Sequence, residues 1–481
     1  MTLRGTQDNT KRMEQETLFP QILPDEEFHK SGHVPPRRSN EFAHNLGELP
    51  VNNWFSIVAG YSGSFVSDSI SNWALNKDSL LLDPFSGTGT SIISSMLNGV
   101  QGTGVEANPF HYLAGLVKTD WSISKDQVLE RYIALKGALS LAVANDGDFA
   151  WSEVPTTDIK AHLSSIRARG ANNRKTNLII WGKESNVPHL TSWISPKVLE
   201  KALDLGNLIF SLEGSETGNV NRFVQLAYGS ILMHVSNMKM HGPKIAYRRR
   251  KSSRIICERA PVYMLFLQKL GMMMDDLNSI PKNELDPHMH LGSATDLSHL
   301  TDESVDGAIT SPPYLNEVDY LDNTRLELYL LGLVRSDGEM RHLKERLIRA
   351  NTKHLFKTNR DYPDNLPDLD VFKTIKKISS QVRLKGKERS WGWDHPRMVA
   401  EYFVDMTSHI REIYRVLKRG ASYRFIVGDS AINGFHVPTD EILGDIGIEV
   451  GFSKKLVEPF RSRGSSRHRF KLRETIITLT K

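Results

Sequence analysis

The chain has 481 residues, 39% hydrophobic and 24% charged, the composition of a globular protein with two to four domains or one enlarged domain carrying insertions. Lys and Arg number 61 against 56 Asp and Glu, a net charge of +5 with a pI near 9.0, which leans mildly toward a polyanionic partner. A single cysteine, Cys257, excludes a disulfide framework or a cysteine-rich zinc site within one chain, and no metal site is expected. The first residues carry no apolar signal core and no run of about eighteen apolar residues occurs, so the expectation is a cytoplasmic protein without membrane contact.

Residues 1–50 are polar, include Pro35-Pro36-Arg37-Arg38, and read as an N-terminal arm. From Trp54 to Leu75 the apolar spacing gives a loop and then an amphipathic helix. Ser79–Pro84 is a largely apolar strand ending at Asp83. Phe85-Ser86-Gly87-Thr88-Gly89-Thr90-Ser91 follows, then a helix from Ile92 to Leu97. Strand, glycine loop and helix make the first unit of a Rossmann-like sheet, where Gly87 and Gly89 let the backbone approach a ligand. A dinucleotide fingerprint wants a glycine at 92; Ile92 argues against NAD. Gln101–Glu106 is the next strand, and a carboxylate at its end is placed where such folds hold ribose hydroxyls.

Residues 119–286 then leave the strand–helix alternation. Apolar runs at Val128–Ala144, Val198–Leu212, Val220–Met238 and Val262–Met274 predict four helices, a large helical insertion with loose loops such as Ser164–Thr176. Between two of these helices, residues 239–254 hold seven basic side chains and no acid, among them Lys244, Arg248, Arg249, Arg250, Lys251 and Arg254. Such a run is usually a solvated face. With His241 and Tyr247 interleaved, it also suits contact with nucleic-acid phosphates.

The sheet resumes at Met289–Asp296, and Val305–Thr310 is a short buried strand. It stops at Ser311-Pro312-Pro313-Tyr314, because consecutive prolines fix φ and remove two backbone donors. One reading is a turn closing a surface loop. The other is a rigid corner at a strand's C-terminal end, where open α/β sheets bind ligands. There the Ser311 hydroxyl and Pro312 carbonyl can accept the two N–H bonds of a nucleobase amine, and Tyr314 can stack on a flipped base. A helix is expected over Asn323–Leu333. Residues 334–395 form a second insertion, the edge of a cleft or a lid. Met398–Leu417 reads as a long helix with Lys418 and Arg419 in its last turn and Gly420 as its cap. A strand at Ser422–Val427, a helix from Asp440 and a terminal antiparallel pair complete the sheet.

Asp83-Pro-Phe-Ser-Gly-Thr-Gly-Thr90 and Thr310-Ser-Pro-Pro-Tyr314, in this order, resemble the S-adenosylmethionine-dependent DNA amino-methyltransferases, which include the modification enzymes of bacterial restriction systems. Smaller matches are Gly104–Pro109, Ala294–Asp296 and Arg415–Gly420 leading into Val427–Ser430. The resemblance implies a class I methyltransferase sheet, mostly parallel with an antiparallel terminal strand, over 51–118 and 287–481. The insertion at 119–286 becomes the candidate DNA-recognition domain. The implied cofactor is S-adenosyl-L-methionine, held by Asp83, Phe85, Ser86, Gly87, Gly89, Glu106 and Asp296, with Ser311, Pro312, Pro313 and Tyr314 as the catalytic loop. The implied partners are double-stranded DNA and, in a restriction–modification pair, a cognate endonuclease; the oligomeric state stays open. A leading Ser in that loop points to cytosine N4, whereas Asp or Asn there favours adenine N6 or guanine N2 in RNA. A C5 mechanism would need a cysteine nucleophile, and Cys257, lacking a preceding proline, reads as a buried structural thiol. A non-catalytic nucleic-acid-binding protein is the rival from another class; the intact glycines and Ser-Pro-Pro-Tyr argue against it.

Overall fold

The computed structural model describes residues 49–55, 61–161, 178–181, 183–187, 190–212, 218–241, 244–281, 285–316, 318–358, 360–386, 394–464 and 471–481. The expected arm up to residue 48 and the loop at 164–176 lie outside them. Seven strands build one sheet: β1 Leu80–Asp83, β2 Gln101–Glu106, β3 His288–Leu291, β4 Val305–Thr310, β5 Leu417–Gly428, β6 Lys454–Gly464 and β7 Lys471–Thr480. Their order is β3-β2-β1-β4-β5-β7-β6. The first five are parallel, and β7 runs antiparallel between β5 and β6. Chain order reverses between β1 and β4, which creates a crevice at their C-terminal ends. Central strands are buried on both faces, as Leu81, Leu82, Ala308 and Ile309 illustrate.

The helices on the sheet are α1 Gly63–Asn72, α2 Thr90–Leu97 and α3 Pro109–Thr119. The Asn108 side chain starts α3 by accepting the N–H groups of Phe110 and His111, with Pro109 in the first turn. The insertion supplies α4 Lys125–Ala144, α5 Pro196–Ser211, α6 Gly218–Val235 and α7 Val262–Asp276, close to the four runs read from periodicity. Their apolar faces share one core with Phe110, Leu113 and Val117 of α3, so the insertion is built directly onto the sheet's own helix. A second core packs α8 Val371–Gly386, α9 His395–Val416 and α10 Thr439–Val450 against the sheet. Among the described residues, no helix is long and apolar enough to cross a membrane.

Three expectations need correction. First, α9 ends at Val416, and Leu417 already pairs with Val305 in the sheet. Lys418 and Arg419 therefore lie on β5, and Gly420 (φ +79°) caps no helix but donates its N–H to the Lys481 carbonyl at 3.0 Å. Second, Asn323–Leu333 is not one helix but Tyr320–Asn323 and Arg325–Leu330, separated at Thr324. The Thr324 hydroxyl accepts from Asn108 Nδ2 at 2.8 Å, which ties the break to the start of α3. Third, the insertion is not helical throughout. The basic run lies on a hairpin of Met238–His241 with Lys244–Tyr247 and on Arg249–Arg250 and Ser253–Arg259 of a three-stranded sheet completed by Ala150–Pro155.

Candidate active site

Asp83 closes β1 and is buried, 1% exposed. Its carboxylate accepts from Tyr61 Oη at 2.8 Å, the Phe85 N–H at 3.0 Å, Thr310 Oγ1 at 2.6 Å and the Ser91 hydroxyl. Burial pushes its carboxyl above the ordinary range, and the hydrogen bonds from Ser91, Thr310, Tyr61 and Phe85 pull the other way. Asp83 thus binds the end of β4 and the glycine loop together. Ser86 also turns inward: its N–H and hydroxyl both donate to the Val105 carbonyl, at 3.0 and 3.1 Å.

Gly87 (φ +55°) and Gly89 (φ +87°) take left-handed backbone that side chains disfavour. A Cβ at Gly89 would sit 3.2 Å from Thr119 Cγ2, so the loop lies flat on α3. The Gly87 N–H donates to Glu106 Oε2 at 2.9 Å, and the Asn108 N–H donates to Oε1 at 2.7 Å. Each Glu106 oxygen keeps a lone pair for a further donor. Burial raises the Glu106 pKa to about 7. On the neighbouring strand Leu291 pairs with Glu106, and the turn after it carries exposed Asp296, held below the usual carboxylate range by hydrogen bonds from Ser298. Two acidic acceptors on adjacent strand ends beside a glycine loop fit the diol and the amino group of an adenosyl moiety. Phe85 packs edge-on to buried His409, with ring centroids 4.9 Å apart.

Beside Asp296 a cavity of about 600 Å³ opens between the turn Gly292–Ser298 and a wall that includes Arg346, Thr358 and Arg360. That wall belongs to the second insertion. Buried Arg349 anchors it by pairing with Asp361 at 2.6 Å, Glu401 at 3.2 Å and Asp405. Ser311–Tyr314 do not line this cavity.

The catalytic-loop candidates Ser311-Pro312-Pro313-Tyr314 leave the C-terminal end of β4 without regular structure. Ser311 Oγ donates to the Ile426 carbonyl of β5 at 3.3 Å. The Pro313 carbonyl accepts from Tyr402 Oη at 3.0 Å, and the Leu315 carbonyl accepts from Ser430 Oγ at 2.6 Å. No donor among the described residues reaches the Pro312 carbonyl. Tyr314 is half-buried against the second core. Asn316 (φ +63°) donates its N–H to the Ala350 carbonyl at 2.8 Å, and Asp319 caps the next helix and pairs with Lys344 at 2.6 Å. Sequence reasoning touched Ser430 only as the end of the minor match Val427–Ser430 and Tyr61 only within the stretch before β1, giving neither a role; Tyr402 was not singled out, because it acts from another element and no local signal marks it.

Of the six basic candidates, Lys244, Arg249 and Lys251 are exposed. Arg250 is also exposed but pairs with Glu153 at 3.1 Å. Arg248 lies 5.1 Å over the Trp151 ring, and Arg254 lies 4.0 Å over Tyr247. The hairpin carrying Lys244 docks on the helix Tyr320–Asn323, where the Ile245 N–H donates to Asn323 Oδ1 at 3.0 Å. Cys257 is buried, its thiol donating to the Arg259 carbonyl at 3.3 Å and pushed by burial to about 12.

The strand order, the glycine loop between Asp83 and α2, and the paired acidic strand ends define a class I S-adenosylmethionine-dependent methyltransferase. No family model matches the chain. It is 22% identical over 442 residues to the Type II methyltransferase M.BsoBI of Geobacillus stearothermophilus, covering 86% of this chain and 81% of that protein. It is 24% identical over 437 residues to the Type II methyltransferase M.AvaI of Nostoc sp. (87% and 82%), and 21% identical over 383 residues to M.MvaI of Kocuria varians (76% and 73%). Over most of its length the chain is thus similar to several Type II methyltransferases.

Proposed function

We propose that the chain is a DNA (cytosine-N4) methyltransferase that modifies a flipped cytosine in duplex DNA, in the cytoplasm, alongside a cognate restriction endonuclease. The observation that carries the choice of an amine substrate is the state of two oxygens in the catalytic loop. The Ser311 hydroxyl commits its proton to the Ile426 carbonyl, which leaves its lone pairs as acceptors. The Pro312 carbonyl beside it is an acceptor too, while the Pro313 and Leu315 carbonyls are engaged by Tyr402 and Ser430.

A cytosine amine is a poor nucleophile because its lone pair is conjugated with the ring. Two N–H bonds held by Ser311 and Pro312 draw that lone pair out of the ring plane, and Tyr314 stacks on the extruded base. S-adenosylmethionine supplies the electrophilic sulfonium methyl. In this reading Glu106 holds the ribose diol, Asp296 the adenine amine, and the Gly87–Gly89 backbone with Phe85 the methionine half. Asp83 and Ser86 position the loop, and positioning supplies most of the acceleration. The exposed Lys244, Arg249 and Lys251 of the insertion contact DNA phosphates.

The test is transfer of labelled methyl groups into unmethylated duplex DNA. Ser311→Ala lowers kcat by about 10²-fold or more while S-adenosylhomocysteine still binds. A fully active Ser311→Ala protein would exclude the catalytic assignment.

A further inference from the structure

We infer that Lys118 is the cationic seat for the α-carboxylate of the cofactor's methionine half. This deepens the proposed reading and rests on residues 83–91 being the cofactor loop. Lys118 lies in the last turn of α3 and is 2% exposed. Its Nζ donates to Thr88 Oγ1 inside that loop and to the Phe55 carbonyl, both at 3.3 Å. Both acceptors are neutral, and no carboxylate pairs with Lys118 among the described residues.

Two other largely buried lysines differ. Lys344 pairs with both Asp319 and Asp322, and Lys481 pairs with Glu303 at 3.5 Å. A buried ammonium without a counter-charge is costly, and an apolar side chain would fill the same space at less expense to stability. The position explains the choice. Gly89 rests on Gly115 and Thr119 of the same helix, and Thr88 is 3% exposed, so Lys118 stands directly behind the loop. Acidic acceptors on Glu106 and Asp296 suit the hydroxyls and the amine of the cofactor, but they repel its carboxylate. Lys118 supplies the missing opposite charge at the glycine-loop end.

Its protonation supports the same role. Burial lowers the Lys118 pKa to about 7, and the titratable group that responds to its charge is His111 on the same helix, itself lowered to about 4 mainly by burial. The Thr88 and Phe55 segments present neutral oxygens. A carboxylate arriving beside Nζ raises its pKa again, so binding at about pH 8 takes up a proton.

The test is calorimetric titration, without DNA, of wild type, Lys118→Met and Lys118→Gln with S-adenosylmethionine and with its decarboxylated analogue. The expected result is about a tenfold or greater loss of affinity for S-adenosylmethionine in both variants, with the analogue bound equally by all three proteins. In the wild type alone, repeating the titration in buffers of different ionisation enthalpy reads the proton uptake directly. Uptake is expected with S-adenosylmethionine and not with the analogue, and this measurement needs no variant to fold. Equal weakening of both ligands, or of neither, overturns the assignment and leaves Lys118 as a support for the Phe55 segment. A wild type that binds neither ligand overturns the cofactor-loop reading beneath it.

Discussion

Thr310 Oγ1 donates a 2.6 Å hydrogen bond to Asp83 Oδ1, joining the last residue of β4 to the last residue of β1. Ser311 follows one of these residues and the glycine loop follows the other. The proposed base site and the proposed cofactor loop are therefore joined by one buried carboxylate. Thr310→Val keeps the shape and removes the donor. It is expected to lower stability by about 1–3 kcal/mol in urea unfolding and to reduce kcat more than cofactor affinity.

Tyr402 reaches from α9 to the Pro313 carbonyl at 3.0 Å, from a fully buried position. Tyr402→Phe frees that carbonyl and loosens the corner without touching substrate. The expected signature is a several-fold fall in kcat with an unchanged KM for S-adenosylmethionine, at a stability cost of about 1 kcal/mol. An unchanged kcat would mean that the two prolines alone hold the loop.

Glu106 makes the protein's stability depend on pH. Its pKa rises from 4.5 to about 7 on folding, with burial as the main cause, so the folded state holds the proton more tightly than the unfolded chain. Its stabilising contribution is complete below about pH 4.5 and is lost as pH rises through 7. Glu106→Gln removes the titration, so thermal melts of wild type and variant should diverge in the variant's favour from pH 5 to pH 8, as the fall expected from the raised pKa disappears. The same variant should bind S-adenosylhomocysteine more weakly.

Lys244, Arg249 and Lys251 project from the insertion's β-ribbons into solvent. Replacing all three with glutamine should weaken binding to any duplex, cognate or not. The slope of log K against log salt should become shallower by about one unit for each phosphate no longer neutralised. A weakening confined to one sequence would instead make them base readers.

Much of the fold was legible because it obeys local rules. Gln101–Glu106 and Val305–Thr310 were bounded correctly by their apolar runs and by the turn residues after them. The four long helices of the insertion followed from periodicity. The basic ribbons were not legible. Strands of two to seven residues carry too little alternation to read, and Ser253–Arg259 also pairs with Ala150–Pro155, about a hundred residues earlier. The end of α9 was missed for a related reason. Leu417 to Gly420 has helix-ending chemistry, yet the open edge of β4 recruits Leu417 into the sheet. In the site, the glycine loop, Glu106, Asp296 and Ser311 were visible as motifs. The inward turn of Asp83 and Ser86 was not, since it depends on Tyr61, Thr310 and Val105 arriving from other elements.

The measurement that reaches the central claim most directly is nucleoside mass spectrometry after incubation with unmethylated plasmid and methyl-labelled S-adenosylmethionine. The expected product is labelled N4-methylcytosine, present with wild type and absent with Ser311→Ala. Labelled N6-methyladenine would contradict the base assignment drawn from Ser311, and DNA left unlabelled would contradict the proposed reaction itself.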